Sequence, residues 1–203
     1  MPSRHKQQTE IICGIHPVYE AVSAARRHIY QVYTSREKPG GRISQIIDAA
    51  RRRDLEPQSL SFDELTKMAG TRRHQGIAAR VIPFPALSLD RLHKQFDARS
   101  APPFLLIADS VEDPHNLGAL VRSTTCAGVD GIIIPKDRSA QPGPSVSRAS
   151  AGALEHAQLC RVTNLVNAIA DLKKSGIWVI GLDRDGRQSI YDTDMTGPRA
   201  LVI

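Results

Sequence analysis

Cysteine is scarce in this 203-residue chain: Cys13, Cys126 and Cys160 stand far apart. An odd, scattered set excludes a disulfide framework and a zinc cluster. No apolar run approaches the roughly 20 residues that span a bilayer. The opening MPSRHKQQTE is polar and lacks the apolar core of a secretory signal. A cytoplasmic protein with no membrane partner is the expectation. The phosphate loops GxGxxG and GxxxxGK[ST] are missing, so the usual dinucleotide and nucleoside-triphosphate sites are not expected. No serine sits in a GxSxG turn, which argues against a Ser-His-Asp hydrolase. Asp113 and His115 lack partners at metal-ligand spacing, so no metal is expected. No internal repeat or low-complexity tract is visible.

What is present is a soluble, globular composition, 41% hydrophobic and 24% charged, long enough for one large or two small domains. The net charge of +6 is uneven. Residues 1–85 hold 14 Lys and Arg against 8 Asp and Glu, whereas residues 104–203 hold 10 against 11. A basic module beside a neutral one suits a chain whose first half grips a polyanion. A solvated basic surface that aids solubility is the plainer reading.

The first half alternates helix and strand. Helices are expected over Gly14–Arg27 and Arg42–Arg53, the second with Ile43, Ile46, Ile47 and Ala50 on one face. Ser61 and Glu64 have capping-box spacing. Strands are expected over Ile29–Thr34 and Ile77–Ile82. Residues 1–10 read as a tail and 11–83 as a small α/β domain. Residues 84–103, with prolines at 83, 85, 102 and 103, read as a linker with one short helix. Residues 104–203 alternate again: strands FLLIAD, GIIIP, Gln158–Val162, IWVIG and ALVI, with helices from Leu117 and over Leu165–Ser175. Continuous apolar strands between helices imply an α/β fold with a mostly parallel sheet, covered on both faces. Ligands of such sheets bind beyond the carboxyl ends of the strands. The loops at 110–116, 136–153 and 181–188 are expected there.

The densest polar cluster is ADSVEDPHNLGALVRSTTCAGVDGIII, residues Ala108–Ile134. Asn116 is expected to cap the helix from Leu117, and Arg122 projects from a small, apolar run. Singly, each reads more readily as a structural residue than as a catalytic one. Together, six positions apart, they are expected to face one end of the sheet. There an amide and a permanently charged planar fork suit a phosphate or a ribose.

The segment DPHNLGALVRSTTCAGVDGIII resembles motif 1 of the SpoU (TrmH-like) RNA ribose 2′-O-methyltransferases, of the SPOUT class. PKDRSA, residues 135–140, looks like the subgroup that methylates a guanosine of large-subunit ribosomal RNA. CGIHPVYEAV and HQGIAARV look like its ribosomal-protein-like N-terminal domain, so the likeness covers roughly residues 11–203. It implies transfer of a methyl group from S-adenosylmethionine to a ribose 2′-hydroxyl of structured RNA. It also implies a trefoil knot, a homodimer and a polypeptide that continues past Ile203 through motifs 2 and 3. In the family those motifs supply most of the cofactor pocket, further catalytic residues, the knot and much of the dimer interface.

By the same resemblance Arg122 contacts the 2′-hydroxyl. A guanidinium does not lose its proton in proteins, so stabilisation of a developing alkoxide is the easier role. Asn116 would hold Arg122 or the ribose. Gly181 and Leu182 would form one wall of the cofactor pocket, or a plain strand-end turn. Arg148 would touch RNA phosphate, and His16, Arg72, Arg73 and His74 would touch RNA from the N-terminal domain. Any one of these five also suits an ordinary surface. Two other readings stay open on sequence: a non-catalytic RNA-binding module, and an unrelated nucleotide-binding α/β enzyme.

Overall fold

The computed structural model describes residues 8–35, 40–97 and 101–203. They divide into two compact units. The first contains β1 (Glu10–Cys13), α1 (Ile15–Ala24), β2 (Ile29–Thr34), α2 (Arg42–Arg51), β3 (Gln58–Ser59), α3 (Phe62–Ala69) and β4 (Ile77–Val81). The second contains α4 (Leu89–Asp97), β5 (Phe104–Ile107), α5 (Pro114–Cys126) and β6 (Gly131–Pro135). After an excursion carrying α6 (Pro144–Ala149) it continues with β7 (Leu159–Val162), α7 (Leu165–Lys174), β8 (Trp178–Gly181) and β9 (Arg199–Val202). No helix among the described residues is long and apolar enough to cross a membrane.

In the first unit the sheet order is β1-β4-β2-β3, with β4 antiparallel to both neighbours. The expected stripe of α2, Ile43, Ile46, Ile47 and Ala50, is buried against Ile12, Val18, Val32 and Ile77. The capping box of α3 is formed: Glu64 N–H donates to Ser61 Oγ at 3.2 Å, and Ser61 N–H donates to Glu64 Oε2 at 2.8 Å. Helix α1 ends earlier than its sequence suggests. Ala25 takes a left-handed conformation at φ 55°, which stops the helix and frees Arg27 to turn inward.

The residues Pro142–His156 pack with this first unit, although they lie in sequence between β6 and β7 of the other. They were expected as a loop of the second domain. They instead form α6 and a 3₁₀ turn at Ala153–Glu155. What draws them in is one buried ion pair. Arg27 Nε and Nη2 donate to the two carboxylate oxygens of Glu155 at 2.8 and 2.6 Å, and Ser147 Oγ donates to Glu155 at 2.7 Å. Gly152 makes the turn at φ 87°. A Cβ there would stand 2.6 Å from Glu20 Cγ and 2.9 Å from the His16 carbonyl, so only glycine fits.

In the second unit the sheet is wholly parallel, in the order β7-β6-β5-β9-β8. Leu105, Ile107, Ile133, Cys160, Leu172 and Ala200 form its core. Burial pushes the Cys160 thiol up to about 11, which makes it an inert apolar filler. The segment expected as a linker is part of this core. Leu92 of α4 is fully buried with Leu105, and Leu87, Leu89 and Phe96 pack beside it. The apolar spacing 89, 92, 96 is that of an amphipathic helix, and burying that face is worth more than leaving it in water.

Candidate functional site

The carboxyl ends of β5, β8 and β9 lie side by side, with Asp109 N–H donating to the Ile203 carbonyl and Leu182 N–H to that of Val202. After β5 the chain turns at Ser110, a non-glycine residue at φ 54°. Its loop is braced by residues 136–141: Ala140 N–H donates to the Val111 carbonyl at 2.8 Å. Gln141 Nε2 closes that bracing loop onto the carbonyls of Lys136 and Ser139 at 3.0 and 2.9 Å. PKDRSA therefore supports the motif loop from behind.

Helix α5 begins three residues before the expected Leu117. Asp113, not Asn116, is its N-cap: Asp113 Oδ1 accepts from His115 N–H at 2.7 Å, and Pro114 follows as the first helical residue. Proline is pre-shaped for that position, and aspartate is a better cap than an asparagine three residues inside the helix. Asn116 is thereby released from capping and is exposed. It borders a cavity of about 490 Å3 with Ser110, Glu112, Ala119, Leu120 and Ser123. Arg122 is also exposed but does not line that cavity. Six residues at about 100° each place it roughly 120° around the axis from Asn116. The pair therefore stands on the solvent side of α5, Asn116 on the cavity and Arg122 on the adjoining flank. His115, two turns before Arg122, shares its flank. Leu117, Gly118, Val121 and Thr124 face the core.

Gly181 and Leu182 lie at the end of β8, both exposed. A Cβ on Gly181 would meet nothing within 4 Å. Gly181 lines a groove of about 590 Å3 along this edge strand, with residues the sequence did not single out. Arg199 lies over the Trp178 ring at 5.6 Å and reaches Asp194 at 3.4 Å. Hydrogen bonds from Thr196, then the Arg199 charge, hold the Asp194 carboxyl below its usual range. Only a strand edge left open by its neighbours makes these residues a wall, and no local pattern marks that.

The five expected RNA-contacting residues all belong to the first unit. Arg148 joins them through α6 and is exposed, as are His16, Arg72 and Arg73. Arg72 lies over the Phe62 ring at 5.0 Å. His74 does not belong with them, because it is completely buried. Its Nδ1 accepts from Gly76 N–H at 3.0 Å, so the proton sits on Nε2, which faces Thr66 Oγ1 at 3.0 Å. It ties α3 to the turn before β4.

Burial, then the nearby Arg72 charge, lowers the His74 pKa. The native bonds need the neutral ring, and the unfolded ring takes up a proton near pH 6.5. Stability from this residue is therefore complete above about pH 6.5 and is lost as pH falls from there through the depressed native value. His74→Phe should flatten the fall of the unfolding midpoint between pH 7 and 5. An unaltered acid limb would assign the acid sensitivity elsewhere. Among the described residues no group of three or more His, Cys, Asp or Glu is placed to hold a metal.

The geometry is that of a parallel α/β unit with its polar loops at one sheet end, preceded by a basic α/β module. Two family patterns match it: the SpoU rRNA methylase family over residues 103–203, and the RNA 2′-O-ribose methyltransferase substrate-binding family over 11–86. A TrmH-family tRNA/rRNA methyltransferase of Bacillus subtilis is 36% identical over 197 residues, covering 97% of this chain and 78% of that one. The 23S rRNA (guanosine-2′-O-)-methyltransferase of Xanthomonas axonopodis is 34% identical over 197 residues, covering 97% and 79%. In fold, the chain superposes on the SpoU methyltransferase AviRb of Streptomyces viridochromogenes, solved with AdoMet, with a TM-score of 0.76. That match has 21% identity and covers 99% of this chain and 76% of that one. The chain belongs to the SpoU rRNA methylase family of RNA 2′-O-ribose methyltransferases.

Proposed function

We propose that this protein transfers a methyl group from S-adenosylmethionine to the 2′-hydroxyl of a guanosine in large-subunit ribosomal RNA. The observation that carries the substrate is the high-coverage likeness to guanosine-2′-O-methyltransferases of 23S rRNA. Residues 11–83, joined by the segment Pro142–His156, serve as the RNA-gripping domain, and residues 86–141 with 157–203 as the methyltransferase domain. The protein acts in the cytoplasm and, by family likeness, as a homodimer.

S-adenosylmethionine suits the end of β8, where Gly181 leaves open space and Leu182 exposes an apolar side chain. These two would hold one side of it, and the bound cofactor supplies an electrophilic methyl group. The chain's own groups act on the RNA. Arg122 stands free on the solvent side of α5, where its fork can stabilise negative charge growing on the 2′-oxygen. Asn116, on the adjoining flank, has a donor and an acceptor to orient the ribose. Orientation matters because in-line transfer gains most from placing the two reactants.

The test is methyl transfer from labelled S-adenosylmethionine to a transcript of bacterial large-subunit rRNA, followed by alkaline hydrolysis. Label in an alkali-resistant dinucleotide containing guanosine supports the reading. Label on a base, or RNA binding with no cofactor binding, overturns it. Arg72→Gln with Arg73→Gln should weaken RNA binding and shrink its salt slope by about 1–2. An unchanged slope would put the RNA on another face.

A further inference from the structure

We propose that the hollow between the first turns of α1 and α2 is a phosphate-binding subsite for the RNA backbone. The proposal rests on the methyltransferase reading and adds a site to it. The hollow holds about 340 Å3 and is lined by Ile15, His16, Tyr19, Glu20, Arg42 and Gln45. That volume is at the low end of the roughly 300–1,000 Å3 usual for ligand sites, and fits a phosphate with part of its sugar.

The donor set is what points to an anion. Arg42 Nη1 stands 3.2 Å from Nε2 and 3.3 Å from Nδ1 of His16. A nitrogen almost equidistant from both ring nitrogens lies over the face of the imidazole, so the ring keeps its in-plane nitrogens, one of them an N–H donor in the neutral form, for a ligand. Gln45 adds an amide and Tyr19 a hydroxyl, both exposed on the same wall. Among the described residues, no carboxylate forms an ion pair with Arg42. The one acid on the wall, Glu20, is already engaged: its Oε2 lies 2.7 Å from His156 Nε2.

The backbone field has the same sign. Arg42 is the first residue of α2, where a cation opposes the helix dipole. Neither α1 nor α2 has an acidic residue in its first turn, whereas α3 in the same unit has Asp63, Glu64 and a full capping box; at α1 the Ile15 N–H is already taken by Gln75 Oε1 at 2.8 Å. A bound phosphate would offset the charge that Arg42 places at the start of α2.

The experiment is a salt titration of affinity for a bacterial large-subunit rRNA transcript, with the unfolding midpoint recorded for each variant. Arg42→Gln should shrink the slope of log K against log salt by about 0.7–1, with the midpoint unchanged. Arg42→Lys should keep the slope, because the charge stays. Gln45→Glu, an independent exposed change, should weaken binding by placing an anion in the hollow. Wild-type slope and affinity in both Arg42→Gln and Gln45→Glu would overturn the subsite and leave the RNA reading intact. Failure of the wild type to bind the transcript would overturn both.

Discussion

Arg27→Ala should destabilise the first unit by about 3–5 kcal/mol at neutral pH, the loss expected when one partner of a buried ion pair is removed. Both partners are out of water: the side chains of Arg27 and Glu155 are 1% and 2% exposed. The guanidinium also donates to Glu10 Oε2 at 3.2 Å and to the Ile82 carbonyl at 3.3 Å, and lies over Phe84 at 5.8 Å. Without it, two carboxylates face each other across the space it filled. Burial already raises the Glu10 pKa, against the opposing pull of Arg27. In the variant the lowering pull of Arg27 on Glu10 is gone, so burial holds the native pKa of that carboxyl further above its unfolded one. The deficit should then be full at pH 7 and shrink as pH falls through that native value. Urea unfolding of wild type and variant at pH 7 and pH 5 measures this. Equal stability at pH 7 would show that the pair is neutral to folding. The double change Arg27→Met with Glu155→Leu should recover most of the loss, because a well-packed apolar pair can replace a buried ion pair.

Arg122→Ala should reduce methyl transfer by about 10²–10³-fold or more, the range for removing one donor that stabilises a developing oxyanion. It should leave the fold untouched. Arg122 is exposed, and surface changes of this kind stay within about ±0.5 kcal/mol. Single-turnover methylation with saturating RNA and cofactor separates the chemical step from binding. RNA affinity should change little, since one guanidinium is a small part of the contact. Arg122→Lys should recover little activity, because a point charge does not reproduce a planar fork. Turnover near the wild-type rate in Arg122→Ala would remove the residue from the mechanism.

Sequence by itself determined the α/β class, the parallel sheet, the basic first half and the family. Each depends on local pattern: apolar runs between periodic helices, charge counted along the chain, and a dense polar motif. The Ser61–Glu64 capping box and the Ile43–Ala50 stripe were legible for the same reason, because their partners lie within a turn or two. The cap at Asp113 was legible too, since an aspartate ahead of Pro114 is a local helix start. Tertiary structure alone decided two matters. It buried His74, since a histidine before a strand looks the same whether its ring faces water or Thr66. And it carried Pro142–His156 onto the first unit, by an ion pair between residues 27 and 155 whose spacing no local pattern records. Contacts that close over a long stretch of chain are chosen by packing and by the need to satisfy a buried charge, and those forces act only when the whole unit is assembled.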